Sequence, residues 1–186
     1  MNPTRLFVLA ALDQRGPLHG HQIRRDARVG RTDLWSEVKP GSLYGALHRL
    51  HDEGLIEEVR REQHGNMPAR TVYAITAEGR RELKALREEA YRDVEQRPDP
   101  VDLALASSGE LDEDTLRGFV EDRIAALEAR RALVRHESER AQPGQSVIDA
   151  LILGHASARI DADLQWHHTL LEQAGKITAE NATRQP

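Results

Sequence analysis

Leu43, Ala46, Leu47 and Leu50 fall at i, i+3, i+4 and i+7 directly after the turn Pro40-Gly41-Ser42, and no other segment so narrows what the chain can become. That spacing is one face of an α-helix, with Ser42 or Gly41 at its N-cap. The helix ends at Glu53-Gly54. After it, Leu55-Ile56-Glu57-Glu58-Val59-Arg60 and Thr71-Val72-Tyr73-Ala74-Ile75 read as two strands around His64-Gly65-Asn66-Met67-Pro68, a hairpin with a polar tip. Upstream, Leu6, Leu9, Ala10 and Leu12 mark a short amphipathic helix stopped by Gly16-Pro17. A second helix runs from His19 to Val29 and closes on Gly30, and Asp33 to Lys39 reads as a connector.

Downstream the pattern is helical throughout. Thr76 is placed to cap a helix reaching about Gln96, with Leu83, Leu86 and Ala90 on one stripe. Pro98 and Pro100 break it, and a short helix from Val101 to Ala106 follows. Asp112 then caps a long helix to roughly Arg140, Pro143-Gly144 breaks the pattern again, and a last helix runs from about Ser146 to Gln173. The expected fold class is mainly α: an N-terminal winged helix-turn-helix of three helices plus a two-stranded wing, then a helical C-terminal dimerisation domain. The expected domains are 1–79, 80–175 and a flexible tail over 176–186.

Charge separates these parts. The 186 residues carry 26 Lys and Arg against 31 Asp and Glu, a net charge of −5 that argues against a generic nucleic-acid coat. Residues 1–79 hold 11 basic and 10 acidic side chains and five of the nine histidines; the remainder holds 15 and 21. The first part is therefore the expected polyanion partner. No apolar run approaches the roughly 20 residues that cross a bilayer, so no membrane partner is expected. There are no cysteines, which rules out disulfides and thiolate metal sites; with no secretory leader legible, the cytoplasm is the expected location.

Three helices and a hairpin in this order suit the reading of duplex DNA, since a helix fits the major groove and a hairpin tip reaches the backbone or minor groove. Turning Leu43, Ala46, Leu47 and Leu50 inward leaves Ser42, Tyr44, Gly45, His48, Arg49 and, at the end of the helix, His51 as the outward set, rich in hydrogen-bonding groups. Lys39 stands just before the turn. Arg49 has a competing partner in Glu53, four residues on along the same helix.

Pro40-Gly41-Ser42-Leu43-Tyr44 with Ala46-Leu47, Arg49-Leu50 and Gly54-Leu55-Ile56 resembles the phenolic-acid-responsive PadR transcriptional regulators. Gly16-Pro17-Leu18-His19-Gly20 is similar to that family's turn between its first two helices, and Pro68, Arg70, Tyr73, Ile75-Thr76 and Gly79 to its second wing strand and following helix start. The segments around Asp99 to Leu105, Arg123 to Glu128 and Leu164 to Trp166 are similar to the longer members' C-terminal helices. The resemblance implies a homodimeric repressor on a pseudo-palindromic double-stranded operator, released by a small aromatic effector. It implies DNA contacts from Ser42, Tyr44 and Arg49. His21 and Asn66-Met67 depart from the family pattern, which leaves Arg70 as the candidate wing contact.

Trp35 and Trp166 are candidates for stacking on an effector, with His167 beside Trp166 to orient it; core or interface packing is the plain alternative for each. The pairs His48/His51, His19/His21 and His167/His168 lack a third ligand at metal-site spacing, so no metal and no cofactor is expected. No nucleophile elbow, phosphate loop or zinc-protease motif is present, and no catalytic residue is assigned. A winged helix that binds protein instead of DNA is the alternative function.

Overall fold

The computed structural model describes residues 2–63, 70–94, 98–140 and 146–184. The hairpin tip His64-Gly65-Asn66-Met67-Pro68 and the Pro143-Gly144 break lie outside them. The chain divides into two compact units, Met1–Glu95 and Gln96–Pro186.

The first unit begins with α1 (Pro3–Arg15), where Asn2 Oδ1 accepts from the Thr4 and Arg5 amides and Pro3 occupies the first helical position. Gly16 ends it at φ 77°, a conformation that favours glycine. β1 (Leu18–His19) and α2 (Gly20–Val29) follow, then α3 (Thr32–Trp35), α4 (Leu43–Asp52), β2 (Ile56–Glu62), β3 (Arg70–Ile75) and α5 (Ala77–Arg92). The sheet is antiparallel with order β1-β3-β2, so it has three strands where the sequence pattern suggests two. β1 has two residues, too few to leave an alternating signal. α3 likewise occupies part of the expected connector: buried Thr32 anchors it through its hydroxyl, which donates to the Ala27 carbonyl.

Val8, Leu9, Leu12, Ile23, Leu43, Leu47, Leu50, Ile56 and Leu83 form the centre of this unit's core. α5 packs on α1 and contributes Leu83 and Leu86, which carries the unit past the 1–79 boundary read from the sequence; the helix ends at Arg92 instead of near Gln96. Thr76 starts α5 and ties it to the hairpin. Its hydroxyl donates to the Gly54 carbonyl at 2.9 Å and accepts from the Gly79 amide at 3.0 Å. At Gly79 the backbone comes so close to β2's entry that an added Cβ would stand 2.1 Å from the Leu55 carbonyl oxygen.

α2 opens with a reciprocal cap. His19 Nδ1 accepts from the Gln22 amide at 3.1 Å, and Gln22 Oε1 accepts from the His19 amide at 3.0 Å. Burial holds the His19 pKa below its usual 6.5, helped by nearby Arg70 and His21 and opposed by Glu62.

The second unit contains α6 (Pro100–Ala106), α7 (Glu113–Glu139) and α8 (Val147–Arg184). α7 and α8 pack antiparallel: Arg131 pairs with Asp161 at 3.2 Å, and Asn181 donates to the Ser108 carbonyl at 3.2 Å. Leu116, Val120, Ile124 and Val134 face Ile160, Leu164, His167, Leu170 and Ala174 across this unit as its buried set. α8 continues to Arg184, through most of the segment read as a flexible tail. Ala174 is fully buried, Gly175 admits the Glu113 carboxylate, and Asn181 bonds the turn before α7. These contacts lie far from α8 in sequence, so local pattern does not announce them.

Two outcomes are expected. Gly79→Ala forces backbone apart from backbone and should destabilise the protein by about 2 kcal/mol or more, read as a lowered urea midpoint at unchanged slope. For His19, the folded state binds its proton less readily than the unfolded state does. Stability from this group is therefore complete above about pH 6.5 and falls as pH drops below that value toward the lower folded pKa. Protonation also removes the Nδ1 acceptor of the cap. His19→Asn keeps a capping acceptor and should lose stability less steeply than the wild type between pH 7.5 and 5.5 in denaturant titrations.

Candidate nucleic-acid interface

The turn into α4 is held by its own polar groups. Ser42 donates from both its amide and its hydroxyl to the Lys39 carbonyl, at 2.9 and 2.8 Å. Its oxygen also lies 3.3 Å from the Thr4 hydroxyl. Ser42 holds the N-cap position, but its side chain bonds backward and does not cap α4. The first-turn amides are thus left without a side-chain acceptor among the described residues, an arrangement a phosphate oxygen can complete.

Leu43, Ala46, Leu47 and Leu50 are buried; Ser42, Tyr44, Gly45, His48 and Arg49 are exposed, with Tyr44 at 44%. Five of the residues expected outward therefore share one surface of α4, and Lys39 is exposed just before it. His51 is exposed as well, and its ring meets Tyr73 of β3 edge-on, ring centres 6.1 Å apart. Tyr44 is positioned by a close approach: a Cβ at Gly20 would stand 2.8 Å from its Cε1. Glycine there lets the start of α2 sit directly against the aromatic ring.

Arg49 does not pair with Glu53. Glu53 is taken by Arg5, which also bonds Glu82 at 2.9 Å and so bridges α4 and α5 from α1. No ion pair holds the Arg49 guanidinium among the described residues, and it lies over Gly45, whose added Cβ would be 3.6 Å from Nη1. Arg70 is exposed at the start of β3, opposite Glu62 in the strand register.

The effector candidates fall in different units. Trp35, on α3, donates its indole N–H to the Gly30 carbonyl at 3.1 Å and is 37% exposed. Trp166 is 38% exposed on α8, its ring edge-on to His167 at 4.7 Å. His167 itself is 2% exposed and belongs to the buried stripe of α8. Its Nδ1 donates to the Asp163 carbonyl at 2.7 Å, and its Nε2 has no hydrogen-bond partner among the described residues. The other such buried atom there is Arg123 Nε, on a guanidinium that pairs with Asp99. Among the described residues no three His, Asp or Glu side chains gather as a metal site would require, and no helix is long and apolar enough to cross a membrane.

One exposed group was not assigned from sequence. His21, Arg24, Arg25 and Arg28 form a basic stripe on α2. Its i, i+3, i+4, i+7 spacing was a legible signal, and the apolar periodicity of the same helix drew the reading elsewhere.

The fold matches solved structures over nearly its whole length. Bacillus subtilis PadR in complex with operator DNA aligns at a TM-score of 0.73 and 21% identity, covering 93% of this chain and 99% of that one. The same protein in complex with p-coumaric acid aligns at 0.64 and 20%, covering 94% and 98%. The Vibrio cholerae virulence activator AphA aligns at 0.69 and 16%, covering 94% and 99%. At these identities the likeness is one of fold. No curated protein matches the chain. Residues 8–85, which contain α2, α4 and the hairpin, match the model of the transcriptional regulator PadR-like family.

Proposed function

We propose that the protein is a homodimeric, operator-binding repressor whose hold on DNA is weakened by a small aromatic effector. The observation that carries this reading is the outward face of α4, where Tyr44, His48 and Arg49, which has no ion pair among the described residues, stand together because the opposite face is buried. Arg49 bonds a phosphate or a guanine edge, Tyr44 gives its hydroxyl to phosphate or sugar, and Lys39 and Ser42 hold the backbone at the start of the helix. Arg70 supplies the wing contact. Such work is done where the chromosome is, in the cytoplasm.

Dimerisation is supported by the second unit's uncovered apolar side chains. Leu103, Phe119, Val147, Ile148 and Leu151 are all 60% or more exposed, more apolar surface than a monomer usually leaves to water. A two-fold dimer sets its recognition helices on successive major grooves, about 34 Å apart. The excess of acid after residue 79 keeps the remaining surface off the duplex.

For the effector, Trp166 offers a flat partly exposed ring, with the ring of His167 edge-on behind it. Trp35, its N–H already engaged, offers only its ring. Release is a population shift limited by the effector's differential affinity for the two states of the dimer. The solved Bacillus protein bound to p-coumaric acid supports an aromatic acid as the first candidate to try.

The test is titration of full-length protein into a labelled duplex from its own promoter, beside a scrambled duplex, at two salt concentrations. Selective, salt-sensitive binding is expected. Tyr44→Ala and Arg49→Ala should each weaken operator binding about tenfold while sedimentation still shows a dimer. Equal, weak binding to both duplexes, or unchanged affinity in both variants, overturns the assignment.

A further inference from the structure

α4 closes on an acid. Glu53 is its C-cap residue, and a carboxylate at the negative end of a helix dipole is raised in energy unless a cation stands beside it. Two arginines compete for that place. Arg49 is four residues back on the same helix, and because side chains lean toward the start of a helix, the Glu53 carboxylate leans toward it. Arg5 approaches from α1.

Arg5 holds the acid because it is itself held twice. Its Nη1 donates to Glu53 and its Nε donates to Glu82 of α5 at 2.9 Å. The Arg5 side chain is 25% exposed against 44% for that of Glu53, so part of the bridge is withdrawn from water. Glu82 already orders the Arg5 guanidinium, and a bond from it to Glu53 therefore costs less conformational freedom than one from the exposed Arg49. The effect is seen at Arg49. Its guanidinium lies back over Gly45, toward the start of α4, while Glu53 stands one turn on in the opposite direction. Gly45 has no side chain to occupy that spot, and the charge stays on the surface shared with Tyr44 and His48.

We infer that Arg5 is a positioning residue for operator binding: by occupying Glu53 from α1 it keeps the charge of Arg49 on the outward face of α4, although its own guanidinium is turned to the two acids. This rests on the operator-binding reading above and on the contact given there to Arg49. Without Arg5, Glu53 is left at the helix end with Arg49 as its cation, and the pair draws that guanidinium away from phosphate or base in a share of the molecules.

The experiment measures the operator affinity of full-length Arg5→Gln, alone and combined in turn with Glu53→Gln, Glu82→Gln and Arg49→Ala. Thermal melts followed by circular dichroism check folding, to which partly exposed pairs contribute little. Arg5→Gln is expected to bind the operator about two- to threefold more weakly than wild type, the shift that an i,i+4 pair at a helix end produces. Adding Glu53→Gln should restore wild-type affinity. Adding Glu82→Gln should not, although it makes the same change in net charge. In the Arg49→Ala background Arg5→Gln should change affinity little, because its effect passes through the side chain already removed. Wild-type affinity in Arg5→Gln, a loss that Glu53→Gln leaves in place or that Glu82→Gln repairs equally, or a loss undiminished in the Arg49→Ala background overturns the inference and leaves operator binding standing. Wild type without selective binding, or Arg49→Ala with wild-type affinity, overturns the contact on which the inference rests.

Discussion

Burial of Leu43, Ala46, Leu47 and Leu50, each 4% exposed or less, fixes the rotation of α4 about its own axis. A helix of ten residues has little propensity to form alone in water and takes its stability from such a packed face. Once the four side chains are committed to the core shared with α1 and α2, the opposite side has no freedom left. Tyr44, His48 and Arg49 are outward as a geometric consequence of what is inward. The same burial brings Gly20 against Tyr44 and aligns the start of α2 with that outward surface.

Partly exposed ion pairs refine this arrangement without holding it together. Arg5 reaches from α1 to Glu53 and Glu82, and each such pair contributes little to stability. Its effect is on specificity of pairing. By engaging Glu53 it removes the acid that would otherwise draw Arg49 along α4, and the arginine is left for another anion. Helix spacing alone leaves Arg49 and Glu53 as natural partners, so this outcome depends on α1, more than 40 residues away in sequence.

That contrast describes what could be read from sequence. Elements with many turns and one apolar stripe, α4 and α7 above all, are legible because their own residues carry the 3.6-residue period. β1 and α3 are not, being two and four residues long and formed by pairing with β3 and by the Thr32 bond to Ala27. The end of α8 is hidden for a related reason: Gly175 meets Glu113 at the start of α7 and Asn181 bonds Ser108 in the turn before it, contacts that no local pattern encodes. At the candidate interface, the α4 residues could be named from the period, while the Gly20 contact with Tyr44 could not. His167 reads as a polar neighbour of Trp166 in sequence and is instead part of the buried stripe, with one ring nitrogen unmet among the described residues.

The hairpin's register shifts between Glu58 and Arg60, so that past this point β2 is one residue out of phase with β3, and every side chain of β2 after Ile56 escapes full burial. The inner end of the hairpin is locked into the core by Ile56, Tyr73 and Ile75. On β3 Val72 is buried as well, whereas the outer residues of β2, Arg60, Arg61 and Glu62, are not. Mutational drift there is nearly free of the folding constraint, so selection can retune the charge and reach of this arm while the body that carries it stays as it is.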